Sequence, residues 1–282
     1  MIRRLAVVGF GLLGGSAAMA VRRRGLAREI VAVGRRAESL APALADGVAD
    51  RATTDLTDGL RGADFVLLAT PVAALEALLS DVWLDAEPDA IVSDVGSTKG
   101  TIVSAAERLA RTRALAFVGG HPMAGSEQSG YARARADLFS GATVILTPTE
   151  ITDPVAVKRV SEFWEALGGR VVTLDPDAHD RVMAAVSHLP HLVAFALVDA
   201  VARLDPGAFT FAGRGFADST RIAASDPQIW RDIFLANREA LADTLAVFRS
   251  ALEKLERLIA AWDATGLEAT LARIRTIRNA LR

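Results

Sequence analysis

The feature that most constrains this chain is a cluster of glycines near its start, Gly9-Phe-Gly-Leu-Leu-Gly14. It lies between a short apolar run over 5–8 and a helical stretch over 12–24 that ends at Gly25. A second apolar run follows over 29–33. The glycines therefore sit inside a βαβ unit of about 30 residues, the setting in which such spacing marks a dinucleotide site. Gly9 permits the tight turn, Gly11 lets the backbone approach a pyrophosphate, and Gly14 lets helix and strand pack closely. The helix start offers amide N–H groups and a partial positive charge to phosphate. Cofactor contacts are expected from Gly9, Gly11, Leu12, Leu13 and Gly14, and from Thr70, which follows a later strand.

The alternation continues. Runs over 63–69, 89–95, 115–119, 142–146 and 170–174 read as strands, interleaved with helices over 74–80, 98–111 and 154–167. This order predicts an α/β chain with a doubly wound, Rossmann-type parallel sheet. After Asp175-Pro176-Asp177 the periodicity turns helical, over 177–203, 226–261 and 266–281. Two domains are expected: a dinucleotide-binding domain over 1–174 and an all-helical substrate and dimerisation domain over 175–282. Long apolar-faced helices bury against each other or against a second subunit, so a homodimer is expected, by analogy with other nucleotide-binding enzymes.

Composition narrows the function classes. Of 282 residues 51% are hydrophobic and 23% charged, with a net charge of −2. That balance carries no electrostatic footprint for nucleic acid. The absence of cysteine excludes disulfides, thiolate catalysis and Cys-ligated metals. It fits a reducing compartment, and a cytoplasmic protein is expected. Arg3-Arg4 ahead of the apolar stretch over 5–21 has the look of a signal peptide, but four glycines break it and Arg22-Arg23-Arg24 close it. It falls short of the ~20 apolar residues of a membrane helix. It reads as mature fold, and no membrane association is expected.

The end of the second strand reads Val33-Gly34-Arg35-Arg36. An NAD site usually places Asp or Glu here for the ribose 2′-OH. Arg35 and Arg36 instead suit a 2′-phosphate through guanidinium geometry, so NADP is the favoured cofactor and NAD the next. His121, in Phe117-Val-Gly-Gly-His-Pro-Met-Ala-Gly125, stands at a strand end, where open α/β sheets bind ligands. It can take a proton near neutral pH. Ser97, in Asp94-Val-Gly-Ser-Thr-Lys-Gly100, is either a helix cap or a site residue, and Lys99 beside it is either a site residue or an exposed helix start. In Ser187-His-Leu-Pro-His191, Pro190 should interrupt its helix. His188 and His191 share a face there, yet no third ligand stands nearby and no metal is expected. In the stretch over 213–223, Asp218 is spaced for a local ion pair with Arg221, and Arg214 is open to solvent or to the site entrance.

Together with Leu146-Thr-Pro-Thr149 and Asp218-Ser-Thr-Arg-Ile-Ala223, these segments resemble, in order and over nearly the whole chain, the prephenate/arogenate (cyclohexadienyl) dehydrogenase family of tyrosine biosynthesis, TyrA. The resemblance implies a small-molecule substrate, prephenate or L-arogenate or both. It implies oxidative decarboxylation with hydride transfer to NAD(P). His121 would accept the proton of the substrate's 4-hydroxyl, and Ser97 would hydrogen-bond that histidine or the hydroxyl. Arg221 would pair with a substrate carboxylate. His188 would lie close to the substrate, and His191 would be a second substrate contact. Neither a fused chorismate mutase nor a regulatory ACT domain is expected. The competing enzyme reading is another NADP-dependent reductase with a helical dimerisation domain, of the β-hydroxyacid dehydrogenase or imine reductase type. Those use a lysine of the helical domain, where this chain has only Lys254. A cofactor-binding sensor would need none of Ser97, His121 and Arg221.

Overall fold

Fourteen elements form the α/β part of the computed structural model, which describes residues 1–125 and 130–281. In chain order they are β1 (Ile2–Val8), α1 (Leu12–Arg24), β2 (Ala27–Val33), α2 (Ala37–Ala45), β3 (Arg51–Thr53), α3 (Leu56–Leu60), β4 (Phe65–Leu68), α4 (Val72–Asp85), β5 (Ile91–Asp94), α5 (Gly100–Ala110), β6 (Ala116–Pro122), β7 (Thr143–Thr147), α6 (Pro154–Ala166) and β8 (Arg170–Thr173). The strands form one sheet in the order β3-β2-β1-β4-β5-β6-β7-β8. Its central strands are apolar on both sides because helices cover both faces. One core layer packs Leu5, Val7 and Leu67 against α1 and α6. The other packs Ala6, Val66 and Leu68 against α4 and α5.

Strand order reverses between β1 and β4, which pair in parallel with Val8 opposite Leu68. Connections leave these two strands in opposite directions, and a crevice opens beyond their carboxyl ends. The glycine turn after β1 and Thr70 after β4 both lie there.

Two strands depart from the expected parallel sheet, since β8 pairs in parallel with β7 and shares its direction. β7 runs antiparallel to β6. A parallel return needs a crossover of a dozen or more residues, usually helical. The described part of this connection holds only a single 3-10 turn, Tyr131–Arg133. The chain doubles straight back, and the Met123 N–H donates to the Thr143 carbonyl at 2.7 Å.

The remainder is helical: α7 (Pro176–Met183), a π turn over Ala184–His188, α8 (Leu189–Leu204), α9 (Arg214–Thr220), α10 (Pro227–Ala236), α11 (Arg238–Ala260) and α12 (Ala264–Asn279). Pro190 lies in the first turn of α8. A proline lacks the N–H and crowds the carbonyl four residues back, and the widened π turn makes room. The helix expected over 226–261 is split at Asn237, whose side chain is buried and hydrogen-bonded elsewhere. The run Pro176–Leu204 is long and apolar enough to cross a membrane by length and composition, with mean hydropathy 1.5. In this fold its first turns carry buried polar residues that reach into the α/β part.

Candidate active site

The cofactor end of the site is built from the turn after β1. Gly9 adopts φ +97°, and a Cβ there would stand 2.5 Å from the Ala69 carbonyl oxygen. A Cβ on Gly14 would meet the Gly9 carbonyl at 2.1 Å. Both positions therefore require glycine. At Gly11 a Cβ would meet nothing within 4 Å, because this residue faces open cleft. α1 starts at Leu12 with no side-chain cap and no acidic residue in its first turn. Its leading amides thus point, uncapped, at the place a phosphate takes in such folds. Among the described residues, Oγ1 of Thr70 also finds no hydrogen-bond partner. Backbone donors, an open glycine and an orphaned hydroxyl together fit a dinucleotide. Arg35 and Arg36 are exposed at the end of β2, Arg36 as the residue before α2. They flank this end of the site and do not line the cleft itself.

The cleft has a volume of about 630 Å³. Gly11, Leu12, Leu13 and Thr70 line one end, Ser97 and His121 its floor, and Ser187, His191, Arg221 and Trp230 the wall from the helical domain. The predicted residues from both halves of the chain thus meet in one space. Gly9 and Gly14 shape the turn beneath it.

The floor is held by buried charge. Asp94, at the end of β5, pairs with Lys99 at the start of α5, and both side chains are fully buried. Asp94 also accepts from the Gly120 N–H at 3.0 Å, and Lys99 donates to the Gly120 carbonyl at 2.9 Å. The residue preceding His121 is clamped on both sides. Burial pulls the Lys99 ammonium below its usual range, against the raising effect of Asp94. Such a pair is strongly destabilising to break, because the remaining charge stays buried. Lys99 is accordingly neither an exposed helix start nor a cleft residue. It is a strut under His121.

His121 pairs across the sheet with Ile145. It is half-buried, with one edge on the cleft. Its Nδ1 lies 2.8 Å from Nε2 of His179 on α7. His179 in turn places Nδ1 2.7 Å from Asp180 Oδ1. Asp180 also accepts the Lys99 and Gly100 N–H groups, each at 2.8 Å, and so caps α5 from another element. Burial alone would raise the Asp180 carboxyl, but the His179 contact and these two amides hold it low. Loss of water, with His179, Lys99 and His188 adding repulsion, pushes the His121 imidazole well below its ordinary value. An imidazole shifted in this way favours its neutral form.

Ser97 faces the cleft and neither caps α5, where Asp180 does that work, nor supplies the Nδ1 partner of His121, where His179 does. His191 donates Nδ1–H to the Ser187 carbonyl at 2.9 Å and stacks on Trp230, with ring centroids 3.4 Å apart. Burial lowers its affinity for a proton, against the Ser187 contact and with help from Arg221. His188 is not at the cleft surface. It is 1% exposed, and its Nδ1 accepts from Asn237 Nδ2 at 3.0 Å, while the same amide donates to the Asp180 carbonyl at 2.7 Å. Reading the chain by motif missed His179, Asp180, Trp230 and Asn237. A histidine and aspartate side by side in a helix after an Asp-Pro cap was the one available signal, and it did not point to residue 121.

Two family models cover most of the chain: the prephenate dehydrogenase nucleotide-binding domain over residues 17–173 and the prephenate dehydrogenase dimerization domain over 175–273. The chain is 36% identical to a prephenate dehydrogenase of Bacillus subtilis over 93% of its own length and 72% of that protein's. It is 33% identical to a cyclohexadienyl dehydrogenase of Zymomonas mobilis, over 93% and 90% respectively. A crystal structure of prephenate dehydrogenase from A. aeolicus, in complex with hydroxyphenyl propionate and NAD+, superposes with a TM-score of 0.93 at 38% identity, covering 100% of this chain and 99% of that one. With the same two-part architecture and likeness along its full length, this chain belongs to the prephenate dehydrogenase family.

Proposed function

We propose that this protein oxidises and decarboxylates prephenate, L-arogenate or both in tyrosine biosynthesis, as a cytoplasmic homodimer that prefers NADP. The observation that carries the reading is His121. Its imidazole, with its affinity for a proton lowered by burial, lines a cleft between a dinucleotide turn and the exposed Arg221.

The nicotinamide dinucleotide, when bound, supplies the hydride acceptor. Gly11, Leu12 and Leu13 would hold its phosphates through backbone amides, with the Thr70 hydroxyl nearby. His121 takes the proton of the 4-hydroxyl as hydride leaves the same carbon. The ring carbon–carboxylate bond then breaks, carbon dioxide departs, and its electron pair enters the ring, which aromatises to the phenolate and takes the proton back from His121 to give the phenol. Arg221 binds a substrate carboxylate, and Ser97 orients the hydroxyl beside His121. His191 presents its remaining ring nitrogen from the opposite wall, held flat by Trp230. The buried His188 supports that wall through Asn237. Asp226 and Asp232 also line the cleft. They offer a partner to the ammonium that distinguishes the alanyl side chain of arogenate from the pyruvyl one of prephenate.

A steady-state assay crossing prephenate and L-arogenate with NADP and NAD tests the reading. Turnover in any of the four pairs supports it, and silence in all four with cofactor bound refutes it. For the cofactor preference, replacing Arg35 and Arg36 by Ala should weaken NADP far more than NAD. Each charge-assisted contact is typically worth ~1.5–3 kcal/mol, or about 10- to 150-fold in affinity. Equal losses for both cofactors would contradict it.

A further inference from the structure

We propose that His179 and Asp180 of the helical domain are positioning residues that fix the tautomer of His121, placing its proton on Nδ1 and leaving Nε2 bare toward the cleft. The inference rests on the reaction just assigned and goes beyond it by naming which nitrogen acts and what holds it.

The direction follows from one end of the chain of contacts. Asp180 Oδ1 and Oδ2 already accept backbone N–H groups from Lys99 and Gly100. The carboxylate is therefore ionised and can only accept. His179, 2.7 Å away through Nδ1, must donate to it. With a single proton on its ring, an imidazole that donates from one nitrogen accepts at the other. His179 Nε2 thus takes a hydrogen bond from His121 Nδ1 at 2.8 Å. His121 is left with its lone pair on Nε2, the nitrogen available to a substrate hydroxyl. Orientation of a catalytic histidine by a carboxylate is a recurring device, and here a second imidazole extends it across the boundary between the two halves of the chain. After proton transfer, the imidazolium on His121 keeps its Nδ1–H bond to His179, and Asp180 provides the buried negative charge that stabilises it. The proton rests on His121 until it returns to the product oxygen and is not passed on to His179 or Asp180.

Asp180 also caps α5, so its replacement would disturb structure. His179 is the cleaner target. Its side chain is fully buried, and His179→Leu removes the chain of hydrogen bonds while filling similar space. His179→Gln keeps it, since one amide can accept from His121 and donate to Asp180. The chain has four histidines, few enough for long-range ¹H–¹⁵N correlation on ¹⁵N-histidine-labelled protein near pH 8. The expected result is a His121 protonated on Nδ1 in the unmodified protein and a mixture of tautomers in H179L. Its kcat should fall by about 10²-fold or more, with KM and cofactor binding near their original values, and H179Q should recover most of the loss. A His121 carrying its proton on Nε2 in the unmodified protein, or an H179L variant with undiminished kcat, would overturn the inference. If the unmodified protein turned over neither substrate, the assigned reaction would fall, while the tautomer measurement would still decide this point.

Discussion

An imidazole works as a base only while it is bare, and the role proposed for His121 is helped by the loss of water around it and by the repulsion of its neighbours, which lower its affinity for a proton. Turnover should therefore persist on acidification through pH 6.5, the ordinary histidine value, and fall only below it. A pH profile of kcat with the acid limb at or above 6.5 would contradict this. His188 gives a second pH-dependent outcome, in stability. Burial pushes it down to about 4, against the raising effect of Asp180 and with repulsion from His179 and His191. The unfolded chain takes up this proton near 6.5 and the folded one only near 4. The contribution is complete above 6.5 and is lost as pH falls through that window, up to about 3 kcal/mol in all. Urea unfolding at pH 7 and pH 5 should show a steeper loss for the unmodified protein than for His188→Asn, and identical slopes would refute it. At this scale His121, Ser97 and Arg221 were legible because each stands in a short local pattern at an element's end. His179 was not, because its partner is 58 residues away and no spacing rule joins them.

The elements were legible to the extent that local chemistry sets them. The glycine turn, the longer strand runs and α1, α4, α5 and α6 follow from apolar periodicity and turn residues, whereas α2, with Pro42 inside it, was not read. The direction of β7, and of β8 beside it, did not follow, since pairing sense depends on the path of the connection. The break at Asn237 was hidden because a continuous apolar pattern runs through it, and only the tertiary bonds to Asp180 and His188 explain it. α3 and the three-residue β3 are too short to leave a period. The glycine turn makes the sharpest prediction here. Gly14→Ala forces a Cβ to within 2.1 Å of the Gly9 carbonyl, and overpacking of this kind typically costs ~1–3 kcal/mol. Calorimetry should show a lower Tm together with weakened cofactor binding, whereas an unchanged Tm would mean that the turn relaxes freely.

Across the whole molecule, the two halves are unlike in how they bury themselves. The sheet is closed on both faces, but the helical half leaves Leu197, Leu204, Val247, Leu252, Ile259 and Trp262 exposed in the single chain. Exposed apolar side chains of this kind suit an interface, and the matched dimerization domain covers these helices. Sedimentation should find a dimer that persists at micromolar concentration, and a monomer there would contradict this. The active site also depends on both halves: the cofactor turn and His121 come from one, and His179, Asp180, His191 and Arg221 from the other. The most direct test replaces the group proposed to take the proton. His121→Asn and the unmodified protein would be compared for turnover of prephenate and L-arogenate and for binding of NADP and NAD. The variant should bind cofactor normally while losing at least about 10²-fold in kcat. Near-normal turnover by His121→Asn would show that the proton leaves by another route and that the site is not organised as described.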